Sequence, residues 1–144
     1  MARFIRAVSV IAIGLCVLSE PARAERVWVC DANGISFESR LSDAEITALP
    51  RWIPADDNPP IGARSAMSAA EKIRPQYETA LKLGKGRRLE FSSIALYELQ
   101  QSERWVWEIR YDEYLELQRT GTAIRIIVPM TGNALQPTLR RSPQ

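Results

Sequence analysis

Histidine is absent from the 144 residues of this chain, and cysteine occurs only twice. Without histidine the chain cannot form a Ser-His-Asp or Cys-His nucleophilic site, an HExxH zinc site or an imidazole switch near neutral pH. The remaining composition, 46% hydrophobic and 25% charged, is that of an ordinary globular protein, and the length suits one domain rather than two. A functional site would have to be built from carboxylates, aromatic side chains and backbone groups.

The first 24 residues have the pattern of a secretory signal peptide. Arg3 and Arg6 precede an apolar run over residues 7–18, which is shorter than the about 20 residues that a spanning helix needs. The triplet Ala-Arg-Ala at 22–24 then supplies small residues before a cleavage point. We therefore expect residues 1–24 to be removed by cleavage after Ala24. The protein would then be periplasmic or secreted, with no membrane span.

Removal of this leader changes the charge and the cysteine count. The formal net charge of +2 belongs to the leader, because it holds three arginines and one glutamate. A neutral mature protein is a poor candidate for nucleic-acid binding, which needs a basic excess. Cys30 is the cysteine that remains, and it is predicted to be buried, with a free thiol or an intermolecular bridge as alternatives. We expect a monomer, with a Cys30-linked dimer as the other possibility.

The N-terminal part of the mature chain has both hairpin and helix signals. Apolar residues alternate on either side of Asn33-Gly34, a pair that favours a tight hairpin turn. A helical interpretation of residues 35–49 competes with the second strand of this hairpin. Ser42 and Glu45 stand at capping-box spacing and predict at least a short helix over 43–49. Residues 50–64 are a proline-rich loop in which no regular element can continue.

A longer helix follows this loop. Ser65 or Ser68 is predicted to be its N-cap, and Gly84 is predicted to occupy the C′ position at its end. Its apolar residues recur every three or four positions and so form one face. Pro75 removes a backbone donor inside this helix and is expected to bend it.

The rest of the chain alternates as a sheet does. Three segments, 89–99, 105–111 and 124–128, are predicted to be antiparallel strands, residues 112–121 a partly buried excursion, and 136–144 a disordered tail. The predicted fold class is therefore α+β. It consists of one bent helix packed on a curved antiparallel sheet of three to four strands, preceded by an N-terminal hairpin or helical segment. Residues 25–135 would form this single domain.

Three short segments resemble those of PepSY domains and of the larger cystatin-like rolls. Ser-Ala-Ala-Glu at 68–71 opens a helix as in PepSY segments, Trp-Val-Trp-Glu-Ile at 105–109 is similar to the central aromatic strand, and residues 126–132 are similar to the closing strand and its Thr-Gly turn. The resemblance covers residues 65 to about 135. It implies a non-catalytic envelope module that inhibits or chaperones a protease or another envelope partner.

The candidate binding residues are aromatic. Trp105, Trp107 and Tyr111 share one face of a strand. If the helix covers that face, they belong to the core; if it does not, they line an apolar surface for a peptide, a protein partner or a small apolar ligand. Trp52, in the proline-rich loop, is interpreted either as folding back or as a recognition tip. The predicted binding set is Trp105, Trp107, Tyr111, Trp52 and Tyr77.

The charged clusters are weaker candidates. Adjacent Asp56 and Asp57 could serve a carboxylate-dependent hydrolase, although solvated loop acids are the simpler interpretation. A second acidic cluster at residues 112–116 is expected to be a solvated surface, and the basic turn at 85–88 a polar connection or an anion site. We predict no catalytic residues, metal or cofactor. The predicted function is a small non-catalytic binding module, with the hydrolase as the alternative.

Overall fold

The computed structural model describes residues 25–55 and 57–141; the predicted signal peptide and Asp56 lie outside this range. The elements of the described chain are β1 (Arg26–Ala32), β2 (Ile35–Leu41), α1 (Asp43–Ala48), α2 (Ala63–Leu81), β3 (Arg87–Glu98), β4 (Trp105–Leu115), β5 (Gln118–Pro129) and β6 (Thr138–Arg141).

The fold is mixed α and β, with one main helix, as predicted in outline. The strands form two antiparallel three-stranded sheets, in the orders β1-β2-β6 and β3-β4-β5. The prediction of one curved sheet is therefore corrected to two sheets. The N-terminal hairpin does not extend the β3-β4-β5 meander, because it pairs with the C-terminal strand instead.

The N-terminal signals were both correct, since a hairpin and a short helix follow one another. Asn33 and Gly34 have φ angles of 51° and 76°, as a two-residue hairpin turn with left-handed residues requires. The capping box is present: the Glu45 amide donates to Ser42 Oγ at 3.3 Å, and the Ser42 amide donates to Glu45 Oε2 at 2.7 Å. The cap confines the helix to α1, so β2 stays a strand up to Leu41.

The ends of α2 differ from the prediction. Gly62 is the N-cap, without a side-chain hydrogen bond, so Ser65 and Ser68 lie inside the helix. The extended backbone of Gly62, two residues after Pro60, lets the helix begin earlier than either serine. At the other end Lys82, not Gly84, takes the left-handed position, with φ 51°. Pro75 lies inside α2 as predicted, and Thr79 Oγ1 donates to its carbonyl at 2.8 Å.

Residues 112–121 are not an excursion. They complete β4, turn at Glu116 and Leu117, and begin β5. A β-bulge between Asp112 and Tyr114 shifts the register there. Asp112 and Glu113 are buried here although they are acidic, which is why the pattern of apolar and polar residues was illegible at this point.

The expected disorder of the C-terminal tail is also wrong for part of it. Residues 138–141 form β6, which pairs antiparallel with β2, placing Leu139 opposite Phe37. Polar composition had suggested disorder, but pairing with an open strand edge depends on main-chain groups and tolerates polar side chains.

Two apolar clusters lie on the two faces of the β3-β4-β5 sheet. The larger one contains the buried face of α2, inward residues of all three strands and Phe37 of the hairpin. The smaller one joins α1 to the opposite sheet face through Ile46, Leu99, Val106 and Ile127. Within residues 25–55 and 57–141, no helix is both long enough and apolar enough to cross a bilayer.

Candidate binding site

Two of the five predicted binding residues, Tyr77 of α2 and Tyr111 of β4, are buried in the larger apolar cluster. Tyr111 is 1% exposed, and its hydroxyl donates to Glu71 Oε1 at 2.7 Å. Tyr77 is fully buried and stacks on Phe37, with ring centroids 4.7 Å apart. Burial raises the pKa of Tyr77 to about 12, and burial together with the Glu71 carboxylate raises the pKa of Tyr111. These tyrosines pack the core and are not available to a partner.

Trp107 also belongs to the core. Its ring is partly buried against the cluster under α2, and its Nε1 donates to the Ile61 carbonyl at 3.1 Å. The inward face of β4 is thus covered by α2 along most of its length. This is the core alternative that the sequence left open for the aromatic strand.

The two remaining residues of the predicted binding set, Trp52 and Trp105, form a pair at the start of β4. Trp52 and Trp105 contact edge to face, with ring centroids 5.3 Å apart and an interplanar angle of 69°. Trp105 Nε1 donates to the Trp52 carbonyl, and Trp52 Nε1 donates to the Asp57 carbonyl, both at 2.9 Å. Each indole ring is therefore fixed by the contact with the other ring and by the hydrogen bond of its own N–H group. Both residues are half-buried. We call Trp52 and Trp105 the tryptophan pair.

The proline-rich loop is fixed to the β3–β4 connection by main-chain contacts. The Trp52 amide donates to the Glu103 carbonyl at 2.8 Å, and Arg51 pairs with Arg104 as an isolated bridge. The prolines prevent a helix or strand, so the loop obtains its order from these contacts. As a result, a segment that could not be regular holds the tryptophan pair in one position.

An open depression of about 480 Å³ lies beside the tryptophan pair. It is lined by Arg51, Trp52, Ile53, Asp57, Asn58, Pro60 and Glu103. Ile53 is 45% exposed at its rim. The sequence drew attention to Trp52, but it gave no sign that Trp105 would separate from Trp107 and Tyr111. Trp105 differs because it is the first residue of β4, where the loop rather than α2 packs on the strand.

Among the described residues, Asp57 is the one of the two predicted loop acids whose surroundings can be given. Asp57 is exposed, and its Oδ1 accepts from the Asn58 amide at 2.6 Å. Asp56 lies outside the described residues. In the described part of the chain, no group of three or more histidine, cysteine, aspartate or glutamate side chains could hold a metal ion.

The expectation that the second acidic cluster is solvated is wrong for two of its three members. Asp112 is 3% exposed and Glu113 is 1% exposed. Asp112 accepts from Arg110 Nε and Arg119 Nε, both at 3.0 Å. Burial alone would raise the pKa of Asp112, but hydrogen bonds from Ser92 and Arg110 and the charges of both arginines outweigh burial and lower this pKa.

Glu113 is the buried acid at the β-bulge. Its carboxylate accepts from Thr120 Oγ1 at 2.9 Å, from Arg87 Nη1 at 3.2 Å and from Asn33 Nδ2 at 3.4 Å. Arg87 comes from the basic turn at 85–88, so this turn serves partly to neutralise a buried carboxylate. Glu113 follows the alternation of β4 and shares the face of Tyr111, whereas Asp112 lies on the opposite face; both are buried by polar partners that the sequence pattern could not reveal.

Cys30 lies on the inward face of the hairpin. Its thiol donates to the Ala123 carbonyl at 2.9 Å, and burial raises its pKa. A raised pKa leaves less thiolate, which is the reactive form. Both observations favour the buried, unreactive thiol among the three alternatives that the sequence left open.

Comparison with known proteins adds no relative to this description. No protein-family model, no curated protein and no solved structure matches the chain.

Proposed function

We propose that this chain is a small non-catalytic binding module of the bacterial envelope or the secreted compartment, and that it holds a protein or peptide partner at the tryptophan pair. The single observation that carries the proposal is the fixed geometry of Trp52 and Trp105. Their indole N–H groups are both bonded to main-chain carbonyls at 2.9 Å while part of each ring stays exposed.

A fixed, half-exposed aromatic pair is suited to binding for a thermodynamic reason. Ordering a flexible side chain on association costs about 0.5–1.5 kcal/mol, and this cost is small when the ring is already held in the free protein. Tryptophan and arginine are also enriched among residues that dominate binding energy at interfaces. Arg51 and the exposed Ile53 flank the pair and add a cation and an apolar side chain.

The shape of the site favours a protein or a peptide over a small apolar ligand. Small molecules bind in concave pockets that bury most of their surface. The depression beside Trp52 is open and is bordered by the charged residues Arg51, Asp57 and Glu103. An apolar centre with a polar rim is the usual composition of a protein interface.

The chemistry of the buried acids supports a binding role rather than hydrolysis. A general acid or base needs a carboxylate that can reach a substrate. The carboxylates of Asp112 and Glu113 are instead occupied by arginine, threonine and asparagine donors. The leader pattern at residues 1–24 supports the envelope as the compartment, and the resemblance to PepSY and cystatin-like modules favours a protease or another envelope protein as the partner.

The test compares single variants of the immobilised protein in capture from envelope extract, followed by titration of the captured partner. Ile53→Ser should weaken the measured affinity by roughly ten-fold or more, because burial of an isoleucine contributes about 1.5–3 kcal/mol. Val29→Ser is the matched control, since Val29 is 50% exposed on β1. The proposal is wrong if a partner binds the Ile53→Ser and Trp52→Ala variants as tightly as the unaltered protein.

A further inference from the structure

The β3 strand has an open edge. It is paired with β4 along one side, and within residues 25–55 and 57–141 no strand pairs with its other side. Phe91 and Tyr97 on this strand are 46% and 48% exposed. A long open edge presents main-chain donors and acceptors to which another strand can be added.

Helix α2 lies over the face of this sheet. It packs mainly over β4 and β5 and touches β3 least. Arg74 of α2 donates through Nη1 to the Leu89 carbonyl at 3.2 Å, so this carbonyl accepts from a side chain and not from a neighbouring strand. A strand arriving at the edge could replace this contact with a main-chain hydrogen bond.

A β-bulge in the middle of β3 determines how the strand could pair with a copy of itself. The register with β4 shifts between Phe91 and Ser93, which leaves Ser92 as the extra residue. Odd-numbered residues before the bulge and even-numbered residues after it therefore share the face toward α2. Opposite residues of an antiparallel pair must lie on the same face. When β3 pairs with β3 of a second copy, an odd-numbered residue before the bulge must therefore lie opposite an even-numbered residue after the bulge in the partner.

One register about a two-fold axis between Ser92 and Ser93 meets this condition along the whole strand. On the α2 face it places Leu89 opposite the partner's Leu96, and Phe91 opposite the partner's Ile94. At each end it places Arg87 opposite the partner's Glu98. The basic start and the acidic end of the strand are thus complementary when two copies run antiparallel, and each favourable pair occurs twice.

The opposite face is compatible with the same register. Arg88 lies opposite the partner's Tyr97, where a guanidinium can stack on the aromatic ring. Glu90 lies opposite the partner's Ala95, so no like charges face each other directly. Shifting the register by one pair in either direction loses the contact between Arg87 and the partner's Glu98.

We propose that the open edge of β3 is a dimerisation surface whose partner is a second copy of this chain. Two β3-β4-β5 sheets join there into one six-stranded antiparallel sheet, with both α2 helices on the same face. The proposal is independent of the function assigned to the tryptophan pair. It replaces the expected monomer, and it differs from a Cys30-linked dimer because no cysteine takes part.

The first test is the mass of the purified protein by sedimentation velocity over a range of concentrations. We expect a reversible dimer, and Glu98→Arg should raise its dissociation constant by about ten-fold or more, because two attractive contacts become repulsive. Asp31→Arg is the matched control, as Asp31 is an exposed acid on the N-terminal hairpin, away from β3. It should leave the dissociation constant unchanged.

The second test locates the axis by disulfide trapping in a Cys30→Ser background. A cysteine at position 93 would lie within one residue of its copy, inside the Cα separation of about 4.4–6.8 Å that a disulfide requires. Ser93→Cys should therefore cross-link on oxidation. Ser68→Cys, on the exposed side of α2, should not. A monomer at concentrations on the order of 100 µM, or equal cross-linking of the two cysteine variants, would overturn the proposal.

Discussion

Tyr77 and Tyr111 are two buried tyrosines whose hydroxyl groups have different surroundings. Tyr111 donates to Glu71 Oε1 at 2.7 Å. Tyr77 lies beside the buried Ser39, but within the described chain its hydroxyl has no hydrogen bond of good geometry. Replacing tyrosine with phenylalanine removes the oxygen and keeps the ring. The loss of free energy of unfolding should therefore be confined to the Tyr111 substitution.

The expected magnitudes follow from these contacts. A hydrogen bond to a charged group contributes about 1.5–3 kcal/mol. The Glu71 side chain is 46% exposed, so water can take the place of the lost donor, and we expect Tyr111→Phe to cost about 1 kcal/mol. Tyr77→Phe removes a buried hydroxyl that is poorly bonded. It should leave stability unchanged or raise it by up to about 1 kcal/mol.

The measurement is urea unfolding at neutral pH, followed by tryptophan fluorescence. Both variants keep their rings, so the dependence of the free energy on urea should stay the same and the midpoints can be compared directly. If Tyr77→Phe destabilises the protein as much as Tyr111→Phe does, the Tyr77 hydroxyl is well bonded, with Ser39 as the nearest partner. The reasoning about unpaired groups would then be refuted for this site.

The same tyrosines predict how stability falls at alkaline pH. Burial raises the pKa of Tyr77 to about 12, whereas an unfolded tyrosine loses its proton near pH 10. The contribution of Tyr77 is therefore fully present below about pH 10 and is lost between about pH 10 and 12, by roughly 3 kcal/mol in total. The pKa of Tyr111 is raised as well and adds a loss of the same sign. Tyr77→Phe should reduce the slope of stability against pH in this range.

Two further predictions concern an acid and a helix cap. The pKa of Asp112 is lower in the folded protein than in the unfolded chain, where it is about 3.9. Its contribution to stability is therefore present above about pH 3.9 and is lost as the pH falls through the lower folded value. Asp112→Asn should flatten this loss of stability in acid, measured by urea unfolding at several pH values. Ser42→Ala removes the N-cap of α1 and should lower the free energy of unfolding by about 1 kcal/mol, measured by thermal or urea unfolding. Ser68→Ala, inside α2, is the control and should lower it much less. Equal losses in the two variants would contradict the assignment of the caps.

Local signals in the sequence predicted the elements that depend on local chemistry. The turn at Asn33 and Gly34 and the box formed by Ser42 and Glu45 each involve residues within three positions of one another. The main helix and the three strands after it were also predicted, because their periodicity is carried by side chains that face the two apolar clusters.

The features that the sequence did not reveal depend on contacts between distant segments. The pairing of β2 with β6 joins the two ends of the domain through main-chain bonds, which leave no side-chain pattern. The burial of Asp112 and Glu113 depends on donors from other strands and turns, among them Arg119, Arg87 and Asn33. The tryptophan pair formed because the proline-rich loop returns to the start of β4, a contact that spacing along the chain cannot indicate.

The position of β6 has a consequence for the order of folding. The first sheet consists of β1 and β2 from one end of the chain and β6 from the other, so it is completed only when the last strand is present. Closing so long a segment of chain carries a large entropic cost and slows the formation of such contacts. A chain that emerges N-terminus first can therefore form its hairpin early, but it must wait for its final residues before that sheet is whole.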